Sequence, residues 1–183
     1  MAIKYSDGST SDTGRIIQVK QTLHTVDETY SLGAVGGTIN GNYVTLTQLN
    51  CSITPKTTSS KILVQGQVYG ESNIPDHFHM FRYLRDSTAI GISTETNLGV
   101  RGSAMMSQSY YDNDNSTTAN QTTLPMILDS PSTTSSITYK IQITCTENTS
   151  STFNMNRCNT TSTAVVWHSE TGVSCLTLFE IAG

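Results

Sequence analysis

His77 and His79 stand two residues apart in the segment Asp76-His77-Phe78-His79-Met80. On a strand, residues two apart project to the same face. Two imidazoles on one face, with Asp76 beside them, would begin a site for zinc, nickel or iron. A further ligand would have to come from elsewhere, such as a symmetry mate on a shared axis. The plainer alternative is a pair of histidines held in a strand or at its mouth, and on that reading no metal or cofactor is expected. Cys51, Cys145, Cys158 and Cys175 are the second chemically capable set. Their spacing fits no zinc-site pattern, and no CxxC occurs. Buried free thiols are the expectation, with disulfides or metal ligation as alternatives.

Hydrolytic chemistry finds less support. A Ser-rich chain always offers a formal Ser–His–Asp set, here with His24, His168, Asp86 and Asp129. No GxSxG elbow accompanies them. Sugar cleavage needs two carboxyl groups about 5–10 Å apart. Glu71, Asp76 and Asp86 are the crowded acids, and they read as solvated loop. Asp112-Asn113-Asp114-Asn115 begins like a calcium loop but lacks the Gly at its sixth place and the closing Glu. Asn115, Asn148 and Asn159 lie in N-x-S/T triplets, which here reflect composition. Tyr69, Tyr110 and Tyr111 are candidates for glycan or partner contact, because a phenol ring stacks on a sugar face and its hydroxyl hydrogen-bonds. Tyr is equally at home as core or rim of a sheet. No enzyme is expected.

The composition says what must position such residues. Hydrophobic residues make up 36% of the 183 and charged residues only 13%. Ser, Thr, Asn and Gln fill the difference. Thr and other β-branched residues favour a pleated, half-buried surface, whereas Lys and Glu, which populate surface helices, are scarce. The length suits one domain with a real core. The net charge of −4 and the absence of a basic run argue against a nucleic-acid partner. No stretch approaches the ~20 apolar residues of a membrane helix. The start of the chain lacks the basic and apolar blocks of a secretory signal, so a protein made and kept in a cytoplasm, or leaving it by a route other than secretion, is the expectation.

Residues 1–14 carry turn formers and little periodicity, and read as an extended N-terminal arm. Strands follow throughout residues 15–183. Ile17, Val19 and Leu23 alternate with polar residues, and the Gly-rich LGAVGGTING is a loop. Tyr43 to Ile53 is the next β stretch, ended by Thr54-Pro55. Ile62, Val64, Gly66 and Val68 then line one face, opposite Leu63, Gln65, Gln67 and Tyr69. Phe78 to Leu84 runs to a turn at Arg85-Asp86-Ser87-Thr88, with Ala89 to Ser93 as its returning partner. Gly102 to Tyr111 is a weaker strand. Thr123 to Leu128 holds Pro125 and must be an edge or a bulge, and Asp129 caps the turn that follows. Ile137 to Cys145 keeps period two without a lapse. Phe153 to Arg157 and Thr163 to Trp167 follow. Val173 to Ile181 is apolar on both faces, as in a central strand covered on both sides. Short strands at this spacing predict an all-β, jelly-roll-like antiparallel sandwich.

Five blocks carry a resemblance. They are SDG..S..GRIIQV, SITPKTTSSKILV, LRDSTAIG, LDSPSTTSSITYKIQI and the closing LTLFEIAG. In this order they resemble a family of small virion proteins of tailed phages, those of marine cyanobacteria among them, labelled tail-fibre or structural proteins. The likeness runs from about Ser6 to Gly183, and Ser93 to Ser103 is its least family-like part. It implies a jelly-roll-like domain acting as a homo-oligomer on the particle, most plausibly a trimer, without catalytic residues. The expected partners are its own copies and capsid or tail proteins. One form is a capsid-decoration protein, another a fibre component. The alternative is an adhesin or free module that binds a host surface glycan.

Overall fold

The computed structural model describes residues 3–4, 10–11, 14–34, 42–74, 79–94, 104–108, 119–146, 148–160 and 170–183. Among the described residues are fifteen strands and no α-helix. In chain order they are β1 (Ile3–Lys4), β2 (Thr10–Ser11), β3 (Ile16–His24), β4 (Glu28–Leu32), β5 (Val44–Thr45), β6 (Cys51–Ile53), β7 (Lys61–Ser72) and β8 (His79–Arg85). Then come β9 (Thr88–Ile90), β10 (Met106–Gln108), β11 (Asn120–Thr123), β12 (Ile127–Asp129), β13 (Ile137–Cys145), β14 (Ser151–Met155) and β15 (Ser174–Ile181). β1 and β2 pair with each other, within the segment expected to be an extended arm.

Two antiparallel sheets make a jelly-roll-like sandwich. The larger has seven strands gathered round β7. One side of β7 takes β15 along its first half and β14 at its end. The other side takes β12 and then β11. β3 pairs on the far edge of β15, and β4 on the far edge of β14. The smaller sheet sets β8 beside β13. β9 and β10 flank β8, and β5 and β6 flank β13.

The sequence pattern explains most of this. Ile62, Val64 and Val68 of β7, and Ile137, Tyr139, Ile141 and Ile143 of β13, are the buried alternate residues expected from period two. They meet Phe81, Tyr83, Phe153, Leu176 and Leu178 in one core. The predicted break at Pro125 is real. Leu124-Pro125-Met126 separates β11 from β12, both on the outer side of β7.

Three expectations are corrected. Tyr43 to Ile53 is not one strand, because a 3-10 turn at Thr47–Leu49 divides it. Leu46 and Leu49, three apart, are both fully buried, and a tight turn lets both reach the core. Asp129 does not cap its own turn. It ends β12, and its carboxylate is taken by β8 and β13. Strand β4, with Tyr30 and Leu32 buried, falls in a stretch where the sequence reading placed none. Thr163 to Trp167 lies outside the described residues.

Two glycines of β7 sit at close approaches, one across the sandwich and one within the larger sheet. A Cβ on Gly66 would lie 2.8 Å from Ile141 Cδ1, across the sandwich. One on Gly70 would run into the Asn154 carbonyl oxygen and lie 2.6 Å from Phe153 Cζ. Backbone cannot yield as a side-chain tip does. Gly70→Ala is therefore expected to cost about 2–3 kcal/mol in urea unfolding. A midpoint within error of the parent would show that β14 shifts freely past β7.

Candidate functional site

His79 is the predicted metal candidate that the structure describes. It is buried in β8 opposite Cys145, and its ring lies 5.8 Å from that of Phe153. That is a core environment between the sheets. No cluster of three His, Cys, Asp or Glu exists among the described residues. His77, Tyr110, Tyr111 and Asp76 lie outside them.

Tyr69 is half-buried at the end of β7. Its ring lies over the backbone of Gly172, where an added Cβ would come within 2.5 Å of it. Its phenol is pushed above the ordinary range by burial, helped by Glu170 and Glu71. All four cysteines are free. Cys51, Cys145 and Cys158 are buried and Cys175 is half-exposed.

The acids do not converge. Asp86 sits in the β8–β9 turn, where Oδ1 accepts the Thr138 N–H. Glu71 is near the other end of the sandwich, on the order of 30 Å away along β7. Its Oε2 accepts the Asn159 N–H. Asp129 accepts two bonds of 2.9 Å from Arg85 Nη1 and one of 2.7 Å from the Tyr139 hydroxyl. Burial, then this hydrogen bond, drives the Tyr139 phenol well above its usual range. The trio fastens β12 of one sheet to β8 and β13 of the other, which is a structural task.

The feature the residues do build is a surface. Pairing registers place Val19, Phe179, Leu63 and Leu128 in one row across β3, β15, β7 and β12, on the outer face of the larger sheet. A second row holds Leu23, Cys175, Gln67 and Thr123. Between them lies a row of Gln21, Thr177 and Gln65, with Gln21 Nε2 donating to Thr177 Oγ1 at 2.9 Å. Beyond the first row are Ile16, Ile181 and Lys61, at a bulge in β3. Lys61 is the only charged residue of these four rows, and its Nζ donates to Ser130 Oγ at 2.7 Å. Val19, Leu23 and Leu128 are 52%, 55% and 60% exposed.

Strand β3 is turned inside out. Gln18, Lys20, Thr22 and His24 share its inward side, and Val19 and Leu23 its outward side. The inward residues lie over the rim, where backbone carbonyls need donors. Thr22 Oγ1 donates to the Asn50 carbonyl at 2.8 Å, and Gln18 Nε2 to that of Thr54 at 3.2 Å. The expectation that Val173 to Ile181 is covered on both sides is half met. β15 is central, but Phe179 and Cys175 stay partly exposed.

The smaller sheet's outer face carries a polar network beside the buried Met80 and Leu84. The Arg82 guanidinium lies 3.7 Å over the Tyr43 ring, and its Nε donates to Gln142 Oε1 at 2.8 Å. Gln142 Nε2 donates onward to Thr45 Oγ1 at 3.1 Å. Burial pushes the Tyr43 phenol up to about 12, and the Arg82 charge opposes that shift. Sequence reasoning found the apolar residues of β3 and β15 but not their direction. The polar Gln18, Lys20 and Thr22 between them were the available signal.

The fold defines a class, the all-β, jelly-roll-like antiparallel sandwich. The chain matches no protein-family model and no curated protein. Among solved structures, it is similar to a chain of the infectious bursal disease virus Gx strain, with 12% identity and a TM-score of 0.42 over 100% of this chain and 41% of that one. It is similar also to a chain of the infectious bursal disease virus VP2 subviral particle, with 12% identity and a TM-score of 0.42 over 99% and 45%. The chain thus spans less than half the length of these solved chains. Likeness at this level bears on neither activity nor partner.

Proposed function

We propose that the chain is a non-enzymatic structural protein of a tailed-phage virion, working as a homo-oligomer in a capsid-decoration or fibre component. The observation that carries this is the outer face of the larger sheet. A strand that sends its polar residues inward and its Val and Leu outward suits a subunit whose surface is covered in an assembly. The sequence blocks that resemble small virion proteins supply the setting, and with it the trimeric stoichiometry. The four free cysteines suit assembly in a reducing cytoplasm.

The test is location. Purified particles carrying this protein, imaged at a resolution that places a domain, should show its copies on the head or the tail. Particles purified from infected cells that lack the chain by mass spectrometry would overturn the proposal.

A further inference from the structure

We propose that the outer face of the larger sheet binds the same face of a second copy of this chain. The inference rests on the reading of the chain as a self-assembling particle component, and the contact it names is a two-fold one, separate from the three-fold contacts of a trimer.

The first argument is chemical self-complementarity. Under a two-fold axis, a face meets itself, so charge of one sign repels its own image. Val19, Leu63, Leu128 and Phe179 carry no charge, and the row beside them is amide and hydroxyl. Gln21 and Gln65 each carry donors and an acceptor, so either can pair with its own kind. A nucleic acid or an acidic partner would need a cluster of cations, and the four rows hold one, Lys61, at their margin. The smaller sheet, with Arg82 and Lys140 outward, does not have this property.

The second argument is size. Four strands about 4.8 Å apart, over seven residues at about 3.3 Å, give a plane of about 450 Å² before side-chain relief is counted. A standard interface takes about 800 Å² per partner. Met126, exposed between β11 and β12, adds to the apolar area. The contact belongs near the lower end of specific dimers, with dissociation in the micromolar range.

Mass photometry and sedimentation of the full chain test this. The wild type should associate at micromolar concentration. Val19→Lys combined with Leu128→Lys changes two exposed positions and should weaken association about 100-fold or more, since each new charge faces a like charge or a desolvated neighbour. Lys140→Glu, on the other sheet, should leave it unchanged. Circular dichroism confirms that the variants fold. Should the double variant misfold, hydroxyl-radical footprinting of the wild type decides instead. Leu23, Leu128 and Phe179 must lose reactivity as concentration rises through the association midpoint. A monomeric wild type, a double variant that associates like the parent, or unchanged footprints would overturn the inference. None of these touches the presence of the chain in particles, so the two proposals fail separately.

Discussion

Glu180→Ala is expected to lower the unfolding free energy by about 3–4 kcal/mol, among the largest effects of any single polar substitution in this chain. Glu180 is fully buried at the end of β15. Its carboxylate accepts the Lys56 N–H, the Ser60 hydroxyl at 2.7 Å and the Gln18 amide at 2.9 Å. Removing it strands those donors where water does not replace the bonds. The bonds also decide its protonation. Burial raises the pKa, but the Lys56, Ser60 and Gln18 donors together outweigh it, and the carboxyl is held below its ordinary 4.5. A depressed folded value fixes the sign. The stabilisation is full above pH 4.5 and fades as pH falls through the folded value. Urea midpoints of parent and Glu180→Ala should therefore lie farther apart at pH 7 than in acid, the gap narrowing as pH falls through the depressed folded value. A constant gap across that range would mean the carboxylate's charge is irrelevant.

Phe153→Ala should cost about 3–5 kcal/mol, through lost transfer energy and the cavity left behind. The ring comes from β14 of the larger sheet and meets Phe81 of the smaller edge-on, with centroids 6.2 Å apart. It also caps the gap left by Gly70 and lies beside His79. No other ring in the described residues reaches both Phe81 and His79. Calorimetry of the variant is the measurement. A loss under about 1 kcal/mol would show that the sheets do not depend on this contact.

The fold was legible where one periodicity ruled. In β13 the alternation of Ile137, Tyr139, Ile141 and Ile143 with polar residues left no second choice of face. β7 was equally plain, and Pro125 announced its own break. Legibility failed where tertiary contacts overrode local pattern. The 3-10 turn between β5 and β6 exists because Leu46 and Leu49 both seek the core, which no propensity at Thr47 or Gln48 encodes. Asp129 had a turn to cap, but Arg85 and Tyr139 offered stronger partners from 44 and 10 residues away. The candidate surface was half legible. Val19 and Leu23 read as an apolar face, and an apolar face is ordinarily taken to point inward. Which way it points depends on the carbonyls of Asn50 and Thr54, met only after the chain folds back.

The inside-out strand also constrains the order of folding. β3 finds its hydrogen-bond partner in β15, and Gln18 finds Glu180 162 residues later. During synthesis at about 5–20 residues per second, β3 must wait many seconds for that partner. Throughout the wait it offers neighbouring nascent chains an unpaired backbone and an apolar stripe. Such distant pairing also places the chain among slow folders. Yield on expression should then depend on how crowded the ribosomes are as much as on final stability, and slower initiation should recover more soluble protein than lower temperature of storage.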